Sequence, residues 1–145
     1  DYQRVDLGGV RVMQQDASRR AALYILDENQ RVEEAVELLL AGDVDAFGAL
    51  LSVSHGSLRE NLDLSCPEID WLVRRGQRVE GVLGMRIHGL AYGGAALAIL
   101  RPGTRERLME AIEEYGRIFG FTPVLYTLIP GESVASDVNV RQLEG

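Results

Sequence analysis

The residues best placed to do chemistry lie between Gly81 and Gly94, where the chain reads Gly-Val-Leu-Gly-Met-Arg-Ile-His-Gly-Leu-Ala-Tyr-Gly-Gly. Glycine recurs at 81, 84, 89, 93 and 94. Each costs conformational entropy, so the pattern predicts a tight backbone path or a close approach to another group. A glycine turn that leaves its backbone N–H groups open can cradle an anion, phosphate above all. The same residues also describe a plain β-hairpin with a roomy turn, because Ala95-Ala-Leu-Ala-Ile-Leu100 resumes as a second strand. His88, beside the turn, is a candidate polar contact to a ligand or to a second domain. Tyr92 either lines a cleft or packs on its own domain.

Other reactive side chains are few. His55 falls late in a helical segment, where a structural hydrogen bond to another segment is the expected role. Cys66 stands at a predicted helix N-terminus, a setting that favours a thiolate, but no base lies near it in sequence. Arg86 sits between apolar strand neighbours. It is expected on the sheet face away from the helices, free to meet another domain.

The elements that must position these residues read clearly in places. Helical spacing of Leu23, Leu26, Val32, Val36, Leu39 and Leu40 predicts a helix over 18–41, with Gly42 at its C-terminal end. Asp43 then caps a second helix with Val44, Phe47, Leu50, Leu51 and Leu58 on its apolar face. Ser65 and Glu68 have the spacing of a capping box, with Pro67 in the first turn, and a third helix follows to about residue 78. It should bury Ile69, Leu72, Val73 and part of Trp71. After the 82–100 hairpin comes a fourth helix over 105–119 and a final strand over 122–129. A short alternating segment at 10–13 would be an edge strand. This order predicts an α+β, ferredoxin-like two-layer sandwich, an antiparallel sheet covered by helices.

Composition narrows the function. With 145 residues, a net charge of −7 and scattered arginines, the chain is one acidic domain with no basic face for nucleic acid. No apolar run approaches the ~20 residues of a membrane span. A single cysteine forbids an internal disulfide and fits a reducing cytoplasm. All fifteen basic residues are arginine, which excludes a Walker lysine and a Schiff-base lysine. Two histidines and one cysteine assemble no zinc site of the usual spacings. The chain starts at Asp1 without methionine and is expected to be a trimmed piece of something longer.

Several segments, taken in order, resemble the galactokinases of the GHMP small-molecule kinase superfamily. Arg19-Arg20-Ala and Asp27-Glu28-Asn29-Gln30-Arg31-Val32 resemble their first C-domain helix, and Ala41-Gly-Asp-Val-Asp-Ala-Phe-Gly48 a helix junction. Ser54-His55-Gly-Ser-Leu-Arg59 with Ser65-Cys-Pro-Glu-Ile-Asp70 is the strongest likeness. Gly81 to Gly94 resembles the third glycine-rich motif, and Gly120-Phe-Thr-Pro-Val-Leu-Tyr126 the last strand. The resemblance implies a GHMP kinase C-terminal domain over 19–134, preceded by a linker or edge strand (1–18) and followed by a tail (135–145).

It further implies half of an enzyme that moves the γ-phosphoryl group of ATP, with Mg²⁺, to the anomeric hydroxyl of galactose or a related sugar. The phosphate loop, base and most sugar contacts belong to an N-terminal kinase domain whose motifs are absent from this sequence. The isolated chain is therefore expected to be inactive, with no catalytic residue of its own. His88, Gly89, Leu90, Ala91, Tyr92, Gly93 and Gly94 would support the phosphate loop and close the cleft. Where the family has Thr-Gly-Gly/Ala-Gly-Phe-Gly-Gly-Cys, this chain has His88-Gly-Leu-Ala-Tyr-Gly-Gly-Ala95; side chains at Leu90 and Ala91 imply a different sugar or a decayed site. The alternative is a stand-alone binding domain that kept the fold, lost the chemistry and pairs as a homodimer.

Overall fold

The computed structural model describes residues 16–89, 94–128 and 140–141; the expected strand at 10–13 lies outside them. The chain divides into two compact units, Asp1–Ile112 and Glu113–Gly145. The first holds helices α1 (Asp16–Ala41), α2 (Val44–Leu62) and α3 (Pro67–Gly76), strands β1 (Val82–His88) and β2 (Ala95–Leu100), and helix α4 (Arg105–Ile112). The second holds helix α5 (Glu114–Phe119) and strands β3 (Thr127–Leu128) and β4 (Val140–Arg141). Helices against small antiparallel pairs make this an α+β fold.

Local chemistry explains the helix boundaries. α1 stops at Gly42, and the Asp43 amide donates back to the Leu38 carbonyl at 2.9 Å. The Asp43 carboxylate accepts the Ala46 N–H at 3.0 Å and starts α2. The expected capping box at 65–68 does not form. Cys66 is the N-cap of α3, without a side-chain cap bond, and Pro67 opens the helix. Ser65 instead donates its hydroxyl to Asp70 Oδ1 at 2.6 Å, since an ionised acceptor gives a stronger bond than a cap would.

The expected apolar stripe of α1 is covered only at its start, where Leu23 and Leu26 are half-buried. Val32, Val36, Leu39 and Leu40 are exposed, whereas Glu28 and Arg31 are largely covered. Further along the helix the covered face is polar, with Glu28 bonded to Ser54 of α2, and periodicity alone does not reveal it. On α2, likewise, Val44 is exposed and the buried residues are Gly48, Ser54, His55 and Leu58.

β1 and β2 pair antiparallel, Arg86 opposite Leu97 and His88 opposite Ala95, with an irregularity between Val82 and Gly84. α2 lies along the other edge of β1. There the Met85 amide donates to Ser52 Oγ at 3.4 Å and the Ile87 amide to His55 Nδ1 at 3.3 Å. Side-chain acceptors thus satisfy a strand edge that would otherwise need another strand. Close approach is possible because the contact is glycine on glycine: a Cβ on Gly84 would collide with the Gly48 backbone carbonyl. Below, Leu58, Ile69, Val73, Met85, Ile87, Leu108 and Ile112 form the core.

In the expected fourth helix, hydrogen bonding is interrupted at Glu113, although its φ of −54° and ψ of −36° remain helical. Within the second unit, Tyr115 and Phe119 stack at 4.9 Å and Gly120 closes α5 in the left-handed region. Of the strand expected over 122–129, Thr127–Leu128 is strand among the described residues, paired with Val140–Arg141, and residue 129 lies outside them. Pro123 has no N–H to give a ladder, which accounts for the late start.

Candidate functional site

β1 delivers His88 and Gly89 to one side of the glycine-rich turn, and Gly94 begins the return into β2. His88 and Gly89 are exposed. Gly89 has φ of 85° and Gly94 φ of 132°, and a Cβ at either would meet nothing within 4 Å. Glycine is needed at these two positions for conformation, not for room. Of the expected site residues, Leu90, Ala91, Tyr92 and Gly93 lie outside the described residues, so the structure brings together His88, Gly89 and Gly94 at the mouth of the hairpin.

Two side-chain systems hold β1 from behind. The first centres on His55. Its Nδ1 accepts from the Ile87 amide, which leaves the proton on Nε2, 3.4 Å from Asp70 Oδ1. Asp70 also receives the Ser65 hydroxyl. Burial lowers the His55 pKa below its usual 6.5; Asp70 opposes that shift, while the charges of Arg59 and Arg86 add to it. A neutral imidazole is what the Ile87 bond requires.

The second system centres on Arg86, and it corrects the sequence reading. Arg86 does not point away from the helices. Its guanidinium donates to Ser54 Oγ at 2.8 Å and lies 3.7 Å from Glu28 Oε2. Ser54 passes its own proton to Glu28 Oε2 at 2.8 Å, and Arg31 stands 3.1 Å from Glu28 Oε1. Tyr24 joins through a bond with Arg86; burial and then the Glu28 charge raise its pKa above 10. One carboxylate is thereby shared by two guanidiniums and a hydroxyl at the junction of α1, α2 and β1. Glu28 and Ser54 were not singled out from sequence. The available signal was the charged pair Glu28 and Arg31 three residues apart on a helix, with polar Ser54 at a helical position.

Cys66 is half-buried and free, packed against the core. Among the described residues no group of three His, Cys, Asp or Glu converges on a metal position, and the chain has no lysine. These residues do not by themselves fit a magnesium nucleotide. No helix among them is long and apolar enough to cross a membrane.

The described residues thus form a helical scaffold behind an antiparallel hairpin, with His88 and Gly89 at one end of its turn and Gly94 at the other. The family model for the GHMP kinases C terminal matches residues 35–118, and the chain belongs to that family. Within the family its likeness is to galactokinases. It is 36% identical over 120 residues to the galactokinase of Thermococcus kodakarensis, covering 82% of this chain and 34% of that protein. It is 39% identical over 103 residues to the galactokinase of Bos taurus, covering 71% and 26%. The galactokinase of Lactococcus lactis, solved in complex with galactose, superposes with a TM-score of 0.73 at 28% identity, covering 79% of this chain and 30% of that one. The L. major mevalonate kinase shares the fold, with a TM-score of 0.62 at 23% identity, covering 73% of this chain and 32% of that one. The chain spans between a quarter and a third of the length of the curated relatives it matches, from 26% to 34%.

Proposed function

We propose that this chain works as the C-terminal domain of a galactokinase-like sugar kinase, which phosphorylates the anomeric hydroxyl of galactose or a related sugar at the expense of ATP. Its part is to close the active-site cleft with the turn from His88 to Gly94. ATP and Mg²⁺ are held mainly by the N-terminal kinase domain, the chain's principal partner, and the chain alone is inactive. The observation that carries this reading is the convergence of Glu28, Ser54 and Arg86, drawn from three separated galactokinase-like segments, into one cluster behind β1. A strand braced in this way can present a glycine turn in a fixed position, and positioning is most of what phosphoryl transfer asks of a protein.

The test is a pair of assays. The purified 145-residue chain, given MgATP and galactose, should release no ADP. Fused behind the N-terminal domain of the Lactococcus lactis enzyme in place of that enzyme's own C-terminal portion, it should restore galactose-dependent ADP release. Turnover by the chain alone overturns the reading, as does a folded chimera that binds galactose and nucleotide yet stays inactive.

A further inference from the structure

The third helix carries a feature that the kinase reading does not use. Trp71, Arg74, Arg75 and Arg78 together line a surface cleft of about 260 Å³. Trp71 is the chain's one tryptophan; it is half-buried and packs against the core while also lining this cleft. The three guanidiniums are exposed, and among the described residues none has a carboxylate within 4.0 Å, whereas Arg31, Arg59, Arg86, Arg101, Arg105 and Arg107 each have one.

Helix termination accounts for only part of this cluster. Cations near a helix C-terminus complement its dipole and its last carbonyls. Arg75 does something of this kind, donating to the Ala111 carbonyl of α4 at 2.9 Å, and Arg74 reaches back to the Asp70 carbonyl at 3.4 Å. Arg78 lies beyond the end of α3; its backbone N–H donates to the Arg75 carbonyl at 3.3 Å, and its guanidinium has no carboxylate among the described residues. Three unneutralised guanidiniums in one cleft repel one another, and they stand in a chain whose net charge is −7. An anion placed among them would relieve that repulsion. Guanidinium is the side-chain group that matches phosphate by paired N–H bonds, and the indole beside it offers a flat apolar surface to a ring.

We propose that this cleft is a binding site for a small phosphorylated aromatic ligand of the nucleoside mono- or diphosphate class. Arg74 and Arg78 grip the phosphate, and Trp71 covers the base. The site is built from α3 and the turn that follows it, so it stands or falls independently of the kinase reading.

Because the chain has one tryptophan, its fluorescence reports on this cleft directly. Titration of the 145-residue chain with ADP should quench Trp71 saturably. Adenosine should quench far more weakly, and inorganic pyrophosphate should compete with ADP without the same quench. Raising the salt concentration should weaken binding, since the charges are exposed. Arg74→Gln combined with Arg78→Gln should weaken ADP binding by about tenfold or more, the worth of a lost charged hydrogen bond. The Arg75 contact to α4 is left intact in this variant, and an unchanged thermal melt verifies its fold. If the double variant melts early, Arg78→Gln alone, with no structural bond to lose, should still weaken binding. The proposal is overturned by no saturable quench at millimolar ADP, by equal quenching with adenosine, or by a folded variant that binds ADP as well as the parent chain.

Discussion

The Nδ1 atom of His55 accepts the amide proton of Ile87 at 3.3 Å, and that bond lasts only while the nitrogen carries no proton of its own. Burial holds the His55 pKa below its usual 6.5, so the folded chain binds fewer protons here than the unfolded one. Stability from this group is therefore complete above about pH 6.5 and is lost as pH falls below it toward the depressed folded value. Asp70 on α3, Arg59 on α2 and Arg86 on β1 are the charges that act on it. Urea midpoints should fall between pH 7.5 and pH 5.5 in the parent chain, and the fall should shrink in His55→Gln, whose side-chain oxygen can still accept from Ile87. Parallel midpoint curves for the two proteins would refute the assignment.

Among the described residues Glu28 is the one carboxylate within 4.0 Å of both Arg31 and Arg86, and all three are mostly covered. Glu28→Gln keeps the shape but leaves Arg86 without a carboxylate and Arg31 with only Asp27, at 4.0 Å. Breaking a buried pair from one side costs about 3–5 kcal/mol, and residual exposure here brings the expected loss to about 2–3 kcal/mol in urea unfolding. Ser54→Ala removes only a bridging hydroxyl and should cost about 1 kcal/mol. A loss below about 0.5 kcal/mol for Glu28→Gln, the usual size of an inert surface change, would show that the cluster does not brace β1.

These two systems also mark where sequence reading stopped. Caps and turns are local chemistry, so Asp43, Pro67 and the hairpin around the glycines could be read directly from neighbouring residues. The facing of α1 could not. Its strongest apolar periodicity runs through Val32, Val36 and Leu39, which are exposed, while the face turned to α2 carries Glu28 and Arg31. A polar inner face has no signature in hydrophobic spacing; its partners are Ser54 and Arg86, which lie far along the chain. Ser65 shows the same limit on a smaller scale. Its spacing to Glu68 suited a capping box, but Asp70 two positions further on is the partner its hydroxyl takes.

Two glycines of β1 and its turn should respond to the same substitution for opposite reasons. At Gly84 the backbone is ordinary, but an added methyl collides with the Gly48 carbonyl, a main-chain atom inside a helix that cannot swing aside. Gly84→Ala should push α2 off the edge of β1, stretch the Ser52 and His55 bonds to Met85 and Ile87, and cost about 3 kcal/mol or more, beyond ordinary overpacking. At Gly89 there is open space, and only the φ of 85° resists a side chain. Gly89→Ala should cost about 1 kcal/mol, with the α2 contacts intact. Amide hydrogen exchange separates the two: Met85 and Ile87 should lose protection in Gly84→Ala and keep it in Gly89→Ala. Equal protection in both variants would mean that the Gly48–Gly84 contact does not seat α2 on the strand.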